Sequence, residues 1–191
     1  MDGIAARLAS RNAHKARELE ALLPGWAIEP FDADEWPDET GDTYFENARI
    51  KVRFAWRDGG WAIGEDSGIE VDALDGRPGL YSARYAPEGL PAITKLLAEL
   101  EGNAERDARY VSELVAIAPD GGELRGTGIL TGRISLEPRG SEGFGYDPVF
   151  IPDGEERTVA ELGDAWKADN SHRARAARAL REAVDRRGAG A

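Results

Sequence analysis

The stretch from Trp61 to Leu74, WAIGEDSGIEVDAL, runs apolar residues straight into two adjacent carboxylates and then resumes an apolar alternation. A buried strand end accepts charges such as Glu65 and Asp66 only where something pairs with them. The pattern predicts two strands, 61–64 and 69–74, on either side of an acidic corner, with Gly68 allowing a sharp turn or a close approach to a ligand. Neighbouring strand side chains point to opposite sides, so one carboxylate can face a cleft while the other is held behind it. The competing reading is an acidic surface turn. The apolar flanks Trp61, Ala62, Ile63, Ile69 and Val71 argue for depth.

What neutralises those carboxylates is constrained by composition. The 191 residues contain no cysteine, which excludes disulfides and thiolate metal sites, and carry a formal net charge of −12. An acidic chain is a poor non-specific binder of nucleic acid, but it can take a small anionic substrate where cations converge locally or a metal ion intervenes. Hard carboxylate oxygens suit Mg²⁺, which usually takes one or two of them and completes its shell with water and phosphate oxygens. Of 24 basic residues only four are lysines: Lys15, Lys51, Lys95 and Lys167. Lysine is a compact point charge on a flexible stem, useful where one phosphate oxygen must be met in a tight space. With no secretory leader and no apolar run long enough to span a bilayer, the chain reads as soluble and cytoplasmic.

Along the chain the periodicities predict a strand over 3–9, a helix over 13–23, a strand over 26–31, an acidic loop over 32–42 and a helix over 43–56. A helix follows over 87–100, then strands over 109–118 and 123–136 joined across Pro119-Asp-Gly-Gly122, a short strand ending at Ile151, and a closing helix over 171–186. Strand–helix units with one hairpin imply an α/β fold on a mixed sheet, as one domain or one domain with two lobes around a cleft.

Four further segments carry candidate chemistry. Ser10, Asn12 and Lys15 lie at a strand-to-helix turn, where backbone N–H groups and the positive helix end favour an anion; a plain helix cap is the alternative. Glu46 and Lys51 lie five residues apart in one helix, about 140° around its axis, so they can flank a cleft without sharing a face; taken alone, the segment reads as a solvated helix with ordinary charges. Gly143-Phe-Gly-Tyr-Asp147 places glycines around Phe144, leaving a ring face for a planar heterocycle, unless its aromatics belong to the core. Lys167, with His172 and Arg173 in the first turn of the last helix, puts cations against the helix dipole, tolerable beside an anion or an electron-rich carbonyl.

Five segments of the chain, LASRNAHKAREL, ETGDTYFENARIKVRFA, EDSGIEVDALDGRPGLYSARYA, GFGYDPVFIPDG and NSHRARAARAL, together resemble the non-canonical purine nucleoside triphosphate pyrophosphatases. The resemblance runs almost end to end. It implies one pyrophosphatase domain over 1–191, an elongated mixed sheet flanked by helices with two lobes around a central cleft, and a homodimer. It also implies Mg²⁺-dependent hydrolysis of ITP, dITP and XTP to monophosphate and pyrophosphate. By motif, Ser10, Asn12, Lys15 and Lys51 would meet phosphates, and Ser67 would contact substrate. Glu46 and Asp66, with Glu65 beside them, would hold the metal, and Asp66 would act as general base. Phe144, Gly145, Tyr146 and Asp147 would form the base pocket, with Lys167, His172 and Arg173 reading the purine edge. The chain departs from the family pattern at Arg11, where a glycine is usual, at Glu65, where bacterial members mostly have Asp, and in the KADN segment before Ser171. The rival readings are a pyrophosphatase for modified pyrimidine or methylated nucleotides, and a non-catalytic nucleotide sensor.

Overall fold

The computed structural model describes residues 3–10, 12–57, 59–86 and 91–189. The expectations at Arg11 and at residues 87–90 therefore lie outside the described residues. Within them the chain forms strands β1 (Ile4–Ala9), β2 (Trp26–Pro30), β3 (Trp61–Val71), β4 (Asp107–Ile117), β5 (Glu123–Ile134) and β6 (Phe150–Pro152). The helices are α1 (Ala13–Leu22), α2 (Tyr44–Ala55), α3 (Ala92–Glu99), α4 (Val159–Asn170) and α5 (His172–Ala189). The strands pair in the order β2-β1-β3-β4-β5-β6. β1 is parallel to β2 and to β3, and β5 is antiparallel to β6, so the sheet is mixed and the fold is α/β as the sequence implied. Among the described residues no helix is long and apolar enough to cross a membrane.

The chain divides into two compact units, Met1–Asp66 with Ser112–Gly128 and His172–Ala191, and Ser67–Val111 with Ile129–Ser171. In the first, α1 packs on α5 and β2, and α2 packs on β1. Its core gathers Leu8, Leu19, Leu23, Ile63, Leu114 and Leu180 on one side and Ala48, Val52, Ala55 and Val115 on the other. The second unit closes around Ile69, Leu96, Leu100, Ile134, Val149 and Phe150. Each of the leucines, isoleucines, valines and Phe150 contributes about 1.5–3 kcal/mol by leaving water, and the alanines less, which offsets the ordering entropy within either unit.

Two differences from the sequence reading position functional groups. The predicted acidic corner is absent: β3 is one continuous strand from Trp61 to Val71, and Gly68 makes no turn. Glu65 and Asp66 stay in the strand because each finds its own cations. The second difference is α4, which the sequence reading missed. It starts with a capping box in which Thr158 and Glu161 satisfy each other's backbone N–H groups. The Thr-x-x-Glu spacing was the available signal. Gly163, at φ 86°, breaks this helix, and the backbone N–H of Asp164 then donates to Glu142 at 2.9 Å, so the part carrying Lys167 starts from a second cap.

Candidate active site

The register of the parallel strands brings the first elements together. Ala9 pairs with Gly64, so β1 ends where the carboxylates of β3 begin, and the chain turns there into α1. Sites at the carboxyl ends of parallel strands are a general consequence of this arrangement. In the turn, Ser10 Oγ accepts from the Asn12 N–H at 3.1 Å. Asn12 Oδ1 accepts from the N–H groups of His14 and Lys15 at 2.9 and 3.2 Å. Two N–H groups that the sequence reading held open for an anion are thus capped by Asn12. What the turn presents is the ammonium of Lys15.

That ammonium lies 2.6 Å from Glu65 Oε2. Glu65 is 1 % exposed. Its Oε1 accepts from Arg173 Nε and Nη2, at 3.3 and 3.1 Å, and from Ser112 Oγ at 3.3 Å. Burial alone would raise the pKa of Glu65; Lys15 and Arg173 outweigh it and hold the carboxyl well below the usual range. Both oxygens are engaged by protein groups and shut away from solvent. The expectation that Glu65 ligates a metal therefore does not fit this environment. The third nitrogen of Arg173, Nη1, pairs with Glu18. Arg173 is 2 % exposed and its guanidinium is committed to these two carboxylates, rather than presented for reading a purine edge. His172, beside it, is also buried.

Asp66 lies on the opposite face of β3. Lys51 Nζ donates to Asp66 Oδ1 at 2.7 Å and to the Glu65 carbonyl at 3.2 Å, and Asn47 Nδ2 lies 3.4 Å from Asp66 Oδ2. Asn47 and Lys51 are four apart on α2, hence on one face. Glu46 is turned elsewhere. Its carboxylate accepts from the Asp42 N–H at 2.8 Å and the Thr43 hydroxyl at 3.1 Å, closing the N-terminus of its own helix, where a negative charge suits the dipole. Asn47, buried at 1 % exposure and anchored by the Gly41 N–H at 2.8 Å, makes the contact to Asp66 instead. A carboxylate unforeseen at this site is Glu39, from the acidic loop, 2.5 Å from Lys51. Burial raises the pKa of Asp66 from its ordinary value, with Lys51 offsetting part of the shift and Glu65 adding to it. For Lys51, burial would lower the pKa, but Asp66 and Glu39 leave it raised.

The second unit holds the other candidates, beginning with Ser67, next to Asp66 in β3. Gly143 and Gly145 have φ of 76° and 64°, a conformation that demands glycine and folds the loop over Asp147. The Phe144 N–H donates to Asp147 Oδ2 at 2.9 Å. Lys167 donates to the same oxygen at 2.8 Å, and its ammonium stands 4.7 Å from the centre of the half-buried Phe144 ring. Tyr110, which the sequence reading passed over, places its hydroxyl 3.3 Å from Asp147 Oδ1. Tyr146 is core: its ring packs in the apolar cluster and its hydroxyl donates to the Ser82 carbonyl at 2.9 Å. The loop therefore offers one aromatic face, Phe144, and one buried donor, Lys167.

A lysine-bearing strand-to-helix turn and two back-to-back carboxylates, each matched to its own lysine, give this end of the sheet charges of both signs, as binding of a phosphate group requires. The chain belongs to the Ham1 family, whose model matches residues 6–183. It is 44 % identical over 181 residues to a dITP/XTP pyrophosphatase of Deinococcus deserti, covering 92 % of this chain and 87 % of that one. The dITP/XTP pyrophosphatase of Gloeobacter violaceus is 44 % identical over 177 residues, 91 % and 90 % of the two chains. Among solved structures, the Staphylococcus aureus Ham1 protein superposes with a TM-score of 0.86 at 33 % identity, covering 96 % of this chain and 99 % of that one.

Proposed function

We propose that this chain hydrolyses non-canonical purine nucleoside triphosphates, ITP, dITP and XTP, to the monophosphate and pyrophosphate. The observation that carries the reading is the pair of adjacent carboxylates in β3, each neutralised by a different lysine, in a chain whose relatives are named dITP/XTP pyrophosphatases. Asp66, its pKa raised by burial, takes the proton of a water attacking the α-phosphorus. The new P–O bond forms as the bond to the β-phosphate oxygen breaks, and Lys15 and Lys51 offset the charge of the departing pyrophosphate. Ser10, Asn12 and Ser67 line the phosphate path.

The donor set favours Mg²⁺ as cofactor. Among the described residues no three acidic, histidine or cysteine side chains form a ready cation cage. A hard cation that brings its own water and phosphate oxygens asks for only one or two carboxylates. Asp66 and Glu39 already converge on one cation, the Lys51 ammonium, at 2.7 and 2.5 Å, and Glu46 lies next to Asn47 in α2. Asp66 and Glu39 would hold the ion, with Glu46 joining them on release of its helix-end contacts, and it would supply charge neutralisation of the phosphates. Removing divalent ions with EDTA is expected to lower pyrophosphate release from dITP at least about 100-fold, with recovery on adding Mg²⁺. Full activity in EDTA would refute metal dependence.

The purine is read by Phe144 stacking and by Lys167 donating to the 6-oxo group, with His172 as a further candidate from the family motif. Adenine presents a 6-amino donor in place of that acceptor, leaving the site's donor unpaired. Phe144→Ala is expected to raise KM about 5- to 150-fold with kcat changed less, since base stacking contributes about 1–3 kcal/mol. An unchanged KM would make Phe144 a core residue. Pyrophosphate release from ITP, dITP, XTP, GTP, ATP and modified pyrimidine triphosphates tests the reading as a whole; turnover of the pyrimidines with none of ITP, dITP or XTP would sink it. The reading includes one functional domain over 1–191, a homodimer and a cytoplasmic setting.

A further inference from the structure

We propose that Glu65 is a positioning residue for phosphate recognition, a buried anion that holds the Lys15 ammonium ready for the substrate. This rests on the reading that Lys15 meets the triphosphate. Glu65 itself cannot touch substrate, because its side chain has no exposed surface. It acts through the groups around it. Lys15, Glu65, Arg173 and Glu18 alternate in charge, and the chain of contacts returns to its starting helix, because Lys15 and Glu18 lie three apart on α1 and share a face. Arg173 spends two nitrogens on Glu65 and one on Glu18. Ser112 donates to Glu65 from β4. The carboxylate is thus tied to α1, α5 and β4 at once, and cannot turn away from Lys15 without stranding a buried arginine.

The consequence falls on Lys15. Its backbone N–H is fixed by Asn12 and its tip by Glu65, so both ends of a flexible side chain are held before substrate arrives. An ammonium has three donors, and Glu65 Oε2 accounts for one. The side chain remains 17 % exposed, enough to offer the others to a phosphate oxygen. Lysine is otherwise among the costliest side chains to order, and binding improves when that ordering precedes the ligand.

The test is a double-mutant cycle with Glu65→Gln and Lys15→Met, read as KM and kcat for dITP and as Kd for inorganic tripolyphosphate by calorimetry. If Glu65 acts through Lys15, each single change raises KM and Kd about 10-fold, the kcat of Glu65→Gln falls no further than that of Lys15→Met, and the double variant is no worse than Lys15→Met within about 2-fold. A merely structural role would lower the active fraction, and with it apparent kcat, while leaving KM and Kd unchanged. Multiplying effects, or a Glu65→Gln variant with wild-type KM and Kd, would overturn the proposal. Should Glu65→Gln fail to fold, the double variant decides, since it removes one anion with one cation and leaves Arg173 with Glu18. Affinity equal to that of Lys15→Met supports positioning. Weaker affinity, or failure of both variants to fold, makes Glu65 a stability element and ends the proposal. A wild-type protein that binds tripolyphosphate but releases no pyrophosphate from dITP would sink the enzymatic reading instead, with the cycle still readable in Kd.

Discussion

Asp66→Asn is expected to lower kcat by about 10²- to 10⁴-fold, the usual contribution of a positioned general base, while KM for dITP stays within about 3-fold of wild type. The substitution is nearly isosteric, and the protein around it keeps its partners. Lys51 retains Glu39 at 2.5 Å and the Glu65 carbonyl at 3.2 Å. Asn47 can still donate to an amide oxygen where it now faces Asp66 Oδ2. No buried cation is left alone, so the large loss that follows breaking a buried pair, about 3–5 kcal/mol, is not anticipated. What disappears is the proposed proton acceptor, and with it one anionic oxygen of the proposed Mg²⁺ site. Titrating Mg²⁺ separates the two roles. A variant whose turnover recovers at high Mg²⁺ lost a ligand; one that stays inactive while binding triphosphate lost a base. Near-normal turnover at ordinary Mg²⁺ would remove Asp66 from both roles.

The contrast between Asp66 and Glu65 marks what the sequence could and could not say. That two carboxylates at a strand end need cations was legible from the apolar flanks alone, and the scarcity of lysine drew attention to Lys15 and Lys51 together with Lys95 and Lys167. Which cation serves which carboxylate was not legible, because it depends on α1 and α2 meeting β3 on opposite faces. The predicted corner at 65–68 gave way to a straight strand for the same reason: neutralised on both sides, the charges gave the chain no cause to leave the sheet. The family motif implies a purine-edge role for Arg173, and its place in a helix's first turn asks only for a nearby anion or carbonyl. Its partner Glu65 lies 108 residues away in sequence, a contact no local pattern encodes. Asn47 was recoverable, since it stands four residues before Lys51 on the same face. Glu39 was not, because an acidic loop of this composition offers several equivalent carboxylates and only the folded path selects one. Phe144 and Lys167 belong to segments picked from sequence, but the glycine-bounded loop hid that Tyr146 turns into the core.

Gly64→Ala is the substitution expected to hurt the fold most for its size. A Cβ at Gly64 would stand 2.7 Å from the Val52 backbone nitrogen and 3.0 Å from the Val52 Cβ, with the Ala48 carbonyl oxygen nearer still. Two of these atoms are helix backbone, so no side chain can swing aside, and α2 must back away from β3. Ala48, Val52 and Ala62 have no exposed surface to cushion the shift. Overpacking of this kind costs about 1–3 kcal/mol and occasionally more, and at roughly 2–4 °C per kcal/mol a chain of this size would lose about 5–10 °C in Tm. The damage should reach the site as well, because α2 carries Asn47 and Lys51, and their contacts to Asp66, at 3.4 and 2.7 Å, exist only while the helix lies hard against the strand at Gly64. The folded fraction of the variant is therefore expected to show a raised KM for dITP together with a lowered kcat. A fall in Tm with unchanged kinetics would mean that Lys51 follows the strand by rotamer change alone. A Tm within about 2 °C of wild type would show that α2 is not seated on Gly64 in solution, and would undercut the placement of Lys51 on Asp66 from which the catalytic reading starts.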